Sequence, residues 1–276
     1  MNESGFAREL GLIDAAVVVA GGIIGVGIFA NPANVARVLE RPALILFAWV
    51  LGGIVALVGG FVWAELGSRL PAVGGQYAYL VRAYHPVVGF LYGVALLCII
   101  NGGGLAAVAI LFGTYIDRTF VPVGPMGVRA VAAAAILGLT WINVIGVRAG
   151  KRTNNLLMAA KVGGMLALVA LAFVGGRAPA STFRLADLAM TPATVPLIFT
   201  ALVPVLFAFG GWQNCGAMAA EIRDPARNLA RANVLGVLVV VVLYLSLNVA
   251  YLWVLPPGDV AASPALAADV ARAAAR

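Results

Sequence analysis

Between Asp14 and Arg37 the chain runs for 22 residues without a charge, enough to cross a bilayer as a helix. Charge-free runs recur at 43–64, 86–116 and 188–220, with shorter ones between and after them. This pattern predicts an all-α integral membrane protein, a single transmembrane domain over 1–276. Its seven spans are expected near 14–38, 43–66, 86–116, 127–147, 154–175, 194–220 and 233–255. The 31-residue run at 86–116 is long enough to tilt strongly. The 33-residue run at 188–220 is too long for one straight crossing. A polar connection is expected from Gly67 to Tyr84, turning at Gly74-Gly75, and Pro256-Pro257-Gly258 ends the seventh span.

Two spans are interrupted. In the first, Gly21, Gly22, Gly25 and Gly27 put four glycines into seven residues. Each costs a helix roughly 1 kcal/mol against alanine, so local opening there is cheap. Inside a bilayer an open backbone survives only where it is buried in protein or lines a cavity. Transporters aim such bare N–H and C=O groups at a substrate near the midplane, whereas close helix packing uses glycine equally well. The cluster alone fits both. The second interruption, Phe209-Gly210-Gly211-Trp212-Gln213-Asn214, falls in the sixth span, five after the first. A pair of Gly-broken spans at corresponding positions of two halves points to an inverted repeat with its binding site between them.

Composition agrees with the bilayer as solvent: 63% of residues are hydrophobic and 11% charged. Cys98 and Cys215 each sit in an apolar run and form neither a disulfide framework nor a metal spacing. His85, before Pro86, reads as an interfacial helix start. No His, Asp and Glu cluster with metal-ligand spacing and no Ser/His pair appears, so neither an enzyme nor a metal or other cofactor is expected. The first run is too long for a signal core. The net charge of +7 is dispersed over loops and is not a nucleic-acid footprint. With the N-terminus inside, nine Lys/Arg fall inside and eight outside. The tight cluster Arg148 to Arg152 favours a cytoplasmic N-terminus.

Four blocks in order carry a resemblance. They are Gly22-Ile23-Ile24-Gly25-Val26-Gly27-Ile28-Phe29; Trp63-Ala64-Glu65-Leu66 with Pro71-Ala72-Val73-Gly74-Gly75-Gln76-Tyr77-Ala78-Tyr79-Leu80; Phe207-Ala208-Phe209-Gly210-Gly211-Trp212-Gln213; and Glu221-Ile222-Arg223-Asp224-Pro225-Ala226-Arg227-Asn228. Through them the chain resembles the amino acid–polyamine–organocation superfamily, in particular bacterial relatives of the L-type amino acid exchangers. The resemblance implies a leucine-transporter-like fold of twelve helices, ten of them in paired five-helix repeats. This chain would supply the first repeat plus helices 6 and 7, with helices 1 and 6 discontinuous. Residues 262–276 resemble the loop and short helix before helix 8. The chain therefore reads as a fragment that is expected to insert in the membrane without working alone as an exchanger.

By that resemblance, the substrate carboxylate falls to the backbone of Gly25, Val26 and Gly27. The ammonium falls to carbonyls of Ile23 or Ile24 and of Phe207, Ala208 and Phe209, with Gly210 beside them. Phe209 and Trp212 are the aromatic candidates for gate or pocket wall. Asn101, in Asn101-Gly102-Gly103-Gly104, hydrogen-bonds either a substrate or a neighbouring helix. Lys161 lies about eight residues into the fifth span. It either snorkels or stands where sodium-coupled relatives bind a cation, on a face shared with Asn154, Met158 and Met165 and turned toward the first span. Glu65 and Glu221 pair with nearby arginines or serve an inner gate.

No carboxylate sits in the inferred pocket, which favours neutral amino acids. The expected function is alternating-access transport of neutral L-amino acids across the inner (plasma) membrane, by sodium-independent exchange or facilitated uptake. The expected partners are the substrate and the bilayer. A proton-coupled or polyamine permease is the alternative within the class, and a non-transporting scaffold or receptor subunit the alternative outside it.

Overall fold

The computed structural model describes residues 10–69, 75–175, 188, 190–212 and 222–275. The first apolar run folds as two helices, α1 (Leu12–Ile23) and α2 (Gly27–Leu39), bent by 49° across residues 24–26. Ile24 leaves the helix in an extended conformation. Asp14 stabilises the start of α1 by accepting from the Gly11 amide at 3.1 Å, where a negative charge also suits the helix dipole. At its far end α2 stops at Glu40, which is left-handed with φ 53°.

Next come α3 (Pro42–Arg69), α4 (Gly75–Ala83) and α5 (Pro86–Ala95). A π-helical turn over Leu96–Asn101 joins α5 to α6 (Gly102–Thr119). The chain continues through α7 (Gly124–Ile145), α8 (Val147–Gly175), α9 (Thr194–Ala208) and α10 (Pro225–Val254). Two short helices follow, α11 (Pro257–Ala262) and α12 (Leu266–Ala274). Among the described residues five stretches are long and apolar enough to cross a membrane, and α1 with α2 makes a sixth if taken as one bent span. The 15 residues of α9 reach about 22 Å, less than the hydrocarbon core. Residues 213–220 of the expected sixth span, with Gln213, Asn214 and Cys215, and Glu221 just after it lie outside the described residues. Among the described residues the only extended pairing is one bridge, Leu10 to Ile222, with the Arg223 amide donating to Leu10 O at 3.0 Å.

Several helices outrun their apolar cores. The expected polar connection from Gly67 to Tyr84 is helical up to Arg69 and again over Gly75–Ala83. Gly75 enters α4 at φ 49°, and Tyr79, buried, packs its ring 5.6 Å from that of Trp63. Helices α8 and α10 begin at 147 and 225, upstream of the expected 154 and 233. Their charged first turns keep helical backbone because that backbone bonds within itself wherever the side chains point. His85 caps α5, its ring Nδ1 accepting from the Val87 amide at 3.3 Å.

The centre of the bundle is α10, packed on α3 and α1. Small residues permit this: a Cβ on Gly236 would stand 2.8 Å from Ala16 O. Asn233, fully buried, donates to Gly60 O at 2.7 Å and links α10 to α3 inside the span. Half of the apolar stretch of α10 is buried inside the protein, against 6% for α5–α6 and for α7.

Candidate functional site

The two interruptions meet. A Cβ on Gly27 would lie 2.6 Å from Ala208 Cα, so the start of α2 crosses the end of α9 at backbone contact. At the other side of the breaks Gly211, φ 121°, comes so near Gly22 that an added Cβ would stand 2.4 Å from Gly22 O. Only glycine fits there, by conformation and by space. Asn31 of α2 reinforces the crossing by donating to Pro204 O at 2.9 Å.

The break between α1 and α2 exposes two kinds of group. The amides of Gly27 and Ile28 have no intrahelical acceptor and stand at the positive end of the α2 dipole, an arrangement suited to a carboxylate, whereas those of Phe29 and Ala30 donate to Val26 O at 3.0 and 3.2 Å. On the other side, Lys161 of α8 donates from Nζ to Ile24 O, and Tyr244 of α10 donates to Ile23 O at 3.3 Å. The two first-span carbonyls expected to meet the ammonium thus already receive a bond from the protein. Phe207 O at the end of α9 accepts from the Gly210 amide at 3.2 Å. Lys161 is half-buried, and among the described residues no carboxylate pairs with it. Of the face predicted with it, Met165 is buried, and Met158 lies over Gly21, where an added Cβ would meet its methyl at 2.7 Å; Asn154 is exposed.

A cavity of about 400 Å³ opens beside this break. Val26 lines it from the break, Gly27 and Asn31 from α2, Gly104 and Thr114 from α6, and Phe207 from α9. Among the described residues no charged side chain lines it. The aromatic wall is therefore Phe207. Phe209 is fully buried instead, its ring 5.8 Å from that of Trp49 and 5.2 Å from that of Tyr244. Trp212 lines a separate cavity of about 440 Å³ against α3, with Trp63, Phe209 and Gly210. Asn101 is exposed on the π-helical turn and outside the first cavity, where Gly104, nearly one turn on, takes its place. The wider π-helical turn rotates the residues before it off the α-helical register. Glu65 pairs with Arg69 at 2.5 Å on an exposed surface, and Glu221 lies outside the described residues.

Sequence reasoning missed Tyr244 and Asn31. Both left a signal: a tyrosine at mid-span needs a partner for its hydroxyl, and Asn31 with Asn34 puts two amides on one face of α2.

A multi-pass membrane bundle whose two interrupted helices cross at glycine, with a charge-free cavity at the crossing, has the architecture of a permease. The family model described as "Amino acid permease" matches residues 10–275, and the chain belongs to that family, within the amino acid–polyamine–organocation superfamily. This is a family of transporters, not of enzymes. Among curated relatives, the human b(0,+)-type amino acid transporter 1 is 33% identical over 272 residues, covering 94% of this chain and 54% of the relative. The human large neutral amino acids transporter small subunit 2 is 30% identical over 273 residues, covering 94% and 50%. The mouse Asc-type amino acid transporter 1 is 31% identical over 270 residues, with the same shares. The chain spans about half the length of the curated relatives it matches.

Proposed function

We propose that the protein carries neutral L-amino acids across the plasma membrane by alternating access, without sodium, with its N-terminus in the cytoplasm. The observation that carries this reading is the first break: the open amides of Gly27 and Ile28 at the start of α2, beside a cavity that no charged side chain lines among the described residues. A carboxylate suits those amides. An ammonium suits the carbonyls of Ile23, Ile24 and the α9 end, each of which has a second lone pair. Without a carboxylate in the lining, a cationic side chain finds no counter-charge, which disfavours arginine and polyamines. The relatives' names, amino acid transporters with one for large neutral amino acids, point the same way. Sodium independence rests on Lys161, whose ammonium already tethers α8 to Ile24 O. The basic cluster Arg148 to Arg152 favours a cytoplasmic end for the start of α8, and therefore for the N-terminus.

Counterflow tests the proposal. Liposomes holding the full-length protein and loaded with unlabelled leucine should accumulate labelled leucine with sodium replaced by choline. Accumulation no greater than in empty liposomes, or accumulation that requires sodium, would overturn it.

A further inference from the structure

Among the described residues, the cavity beside the first break has one buried polar side chain in its lining, and its packing leaves both a donor and an acceptor unused. Asn31 is 7% exposed and lines the cavity four residues beyond Gly27. Its Nδ2 donates to Pro204 O at 2.9 Å, and its Oδ1 accepts from Asn34 Nδ2 at 3.2 Å. A primary amide offers two N–H donors and two acceptor lone pairs, so one of each is left. The other polar side chain in the lining, Thr114, turns its hydroxyl back to Ile110 O at 2.9 Å. Everything else that side chains contribute to the wall is apolar, chiefly Val108, Leu111 and Phe207. A buried amide with unused capacity favours a ligand that meets it over one that leaves it bare.

We propose that Asn31 reads the substrate's side chain, selecting uncharged side chains that end in an amide or hydroxyl over aliphatic ones of the same size. The inference rests on the amino acid site proposed above. Four residues of α2 separate Gly27 from Asn31, about 6 Å along the axis. An amino acid whose carboxylate sits on the Gly27 amide spans a distance of that order to the amide of an asparagine side chain. The two bonds Asn31 already makes hold its plane fixed, so recognition costs little further side-chain ordering.

The test is competition binding to the purified full-length protein with pairs matched in shape, threonine against valine and asparagine against leucine. The wild type should prefer the polar member of each pair. In Asn31→Leu and Asn31→Ala the ratio of affinities within each pair should fall by about tenfold, the scale of one hydrogen bond, whatever the loss of the Pro204 bond does to the affinity for valine and leucine themselves. Asn34→Ala, which removes a neighbour and leaves the Asn31 amide, should keep the preference. Unchanged ratios in both Asn31 variants would overturn the proposal. An equal loss of affinity for both members of each pair would overturn it too, making Asn31 only a brace between α2 and α9. A wild type that binds no amino acid would instead refute the site itself.

Discussion

Replacing Gly27 by alanine adds one methyl group at the crossing of α2 and α9. That carbon would stand 2.6 Å from Ala208 Cα and 2.9 Å from Ala208 Cβ. Carbon atoms pack best at about 3.5–4.0 Å, so the helices must part by about 1 Å. Nothing at the contact is the end of a flexible side chain. Parting them strains the Asn31–Pro204 bond and loosens the packing of α9 on α3, where a Cβ on Gly52 would already meet Val205 at 2.3 Å. Overpacking of this kind costs roughly 1–3 kcal/mol. For a chain of this size that lowers the apparent melting temperature by roughly 2–5 °C. Gly25, two residues away, is the control: its Cβ would meet only Ile23 O, at an ordinary 3.8 Å. Thermal unfolding of the two alanine variants in detergent, followed by size-exclusion chromatography with fluorescence detection, separates them. Gly25→Ala should melt with the wild type and Gly27→Ala clearly below it. If Gly27→Ala melted with the wild type, or Gly25→Ala fell as far, the glycine crossing would be wrongly placed.

The aromatic residues near the second break divide by burial. Phe209→Ala should destabilise by about 3–5 kcal/mol, because it empties the space between Trp49 and Tyr244, whereas Phe207→Ala should change substrate affinity with little effect on melting; the reverse pattern would exchange their roles. Lys161→Ala should slow counterflow strongly at unchanged protein in the membrane. Lys161→Arg should not restore it, since a planar guanidinium does not replace a compact ammonium on Ile24 O; an alanine variant at wild-type rate would return Lys161 to a snorkelling role.

Much of this was legible in the order of residues. Charge-free runs set the spans, and the glycine cluster set the place of the first break, which falls at residues 24–26. Lys161 stood out because a lysine costs about 2.5–3.5 kcal/mol at the middle of a span, so it needed a stated partner. Less legible was which face of each helix turns inward. Asn101 looks like a mid-membrane polar candidate, yet the π-helical turn leaves it exposed and hands its place to Gly104. Phe209 and Phe207 are two residues apart in a helix and therefore point apart. Only packing shows that the former fills the core and the latter walls the cavity. Tyr244 and Asn31 were hidden for the same reason, since their partners, Ile23 O and Pro204 O, are 221 and 173 residues away along the chain.

The central claim is that the break between α1 and α2 holds the amino acid, and thiol labelling at Val26 tests it most directly. Val26 is half-buried and lines the cavity at the break. In a background of Cys98→Ser and Cys215→Ser, the substitution Val26→Cys places one thiol at that point. A neutral L-amino acid at saturating concentration should slow its alkylation several-fold, and the D-enantiomer should protect much less. Labelling at the same rate with and without substrate, in a variant that still performs counterflow, would place the amino acid elsewhere and contradict the account.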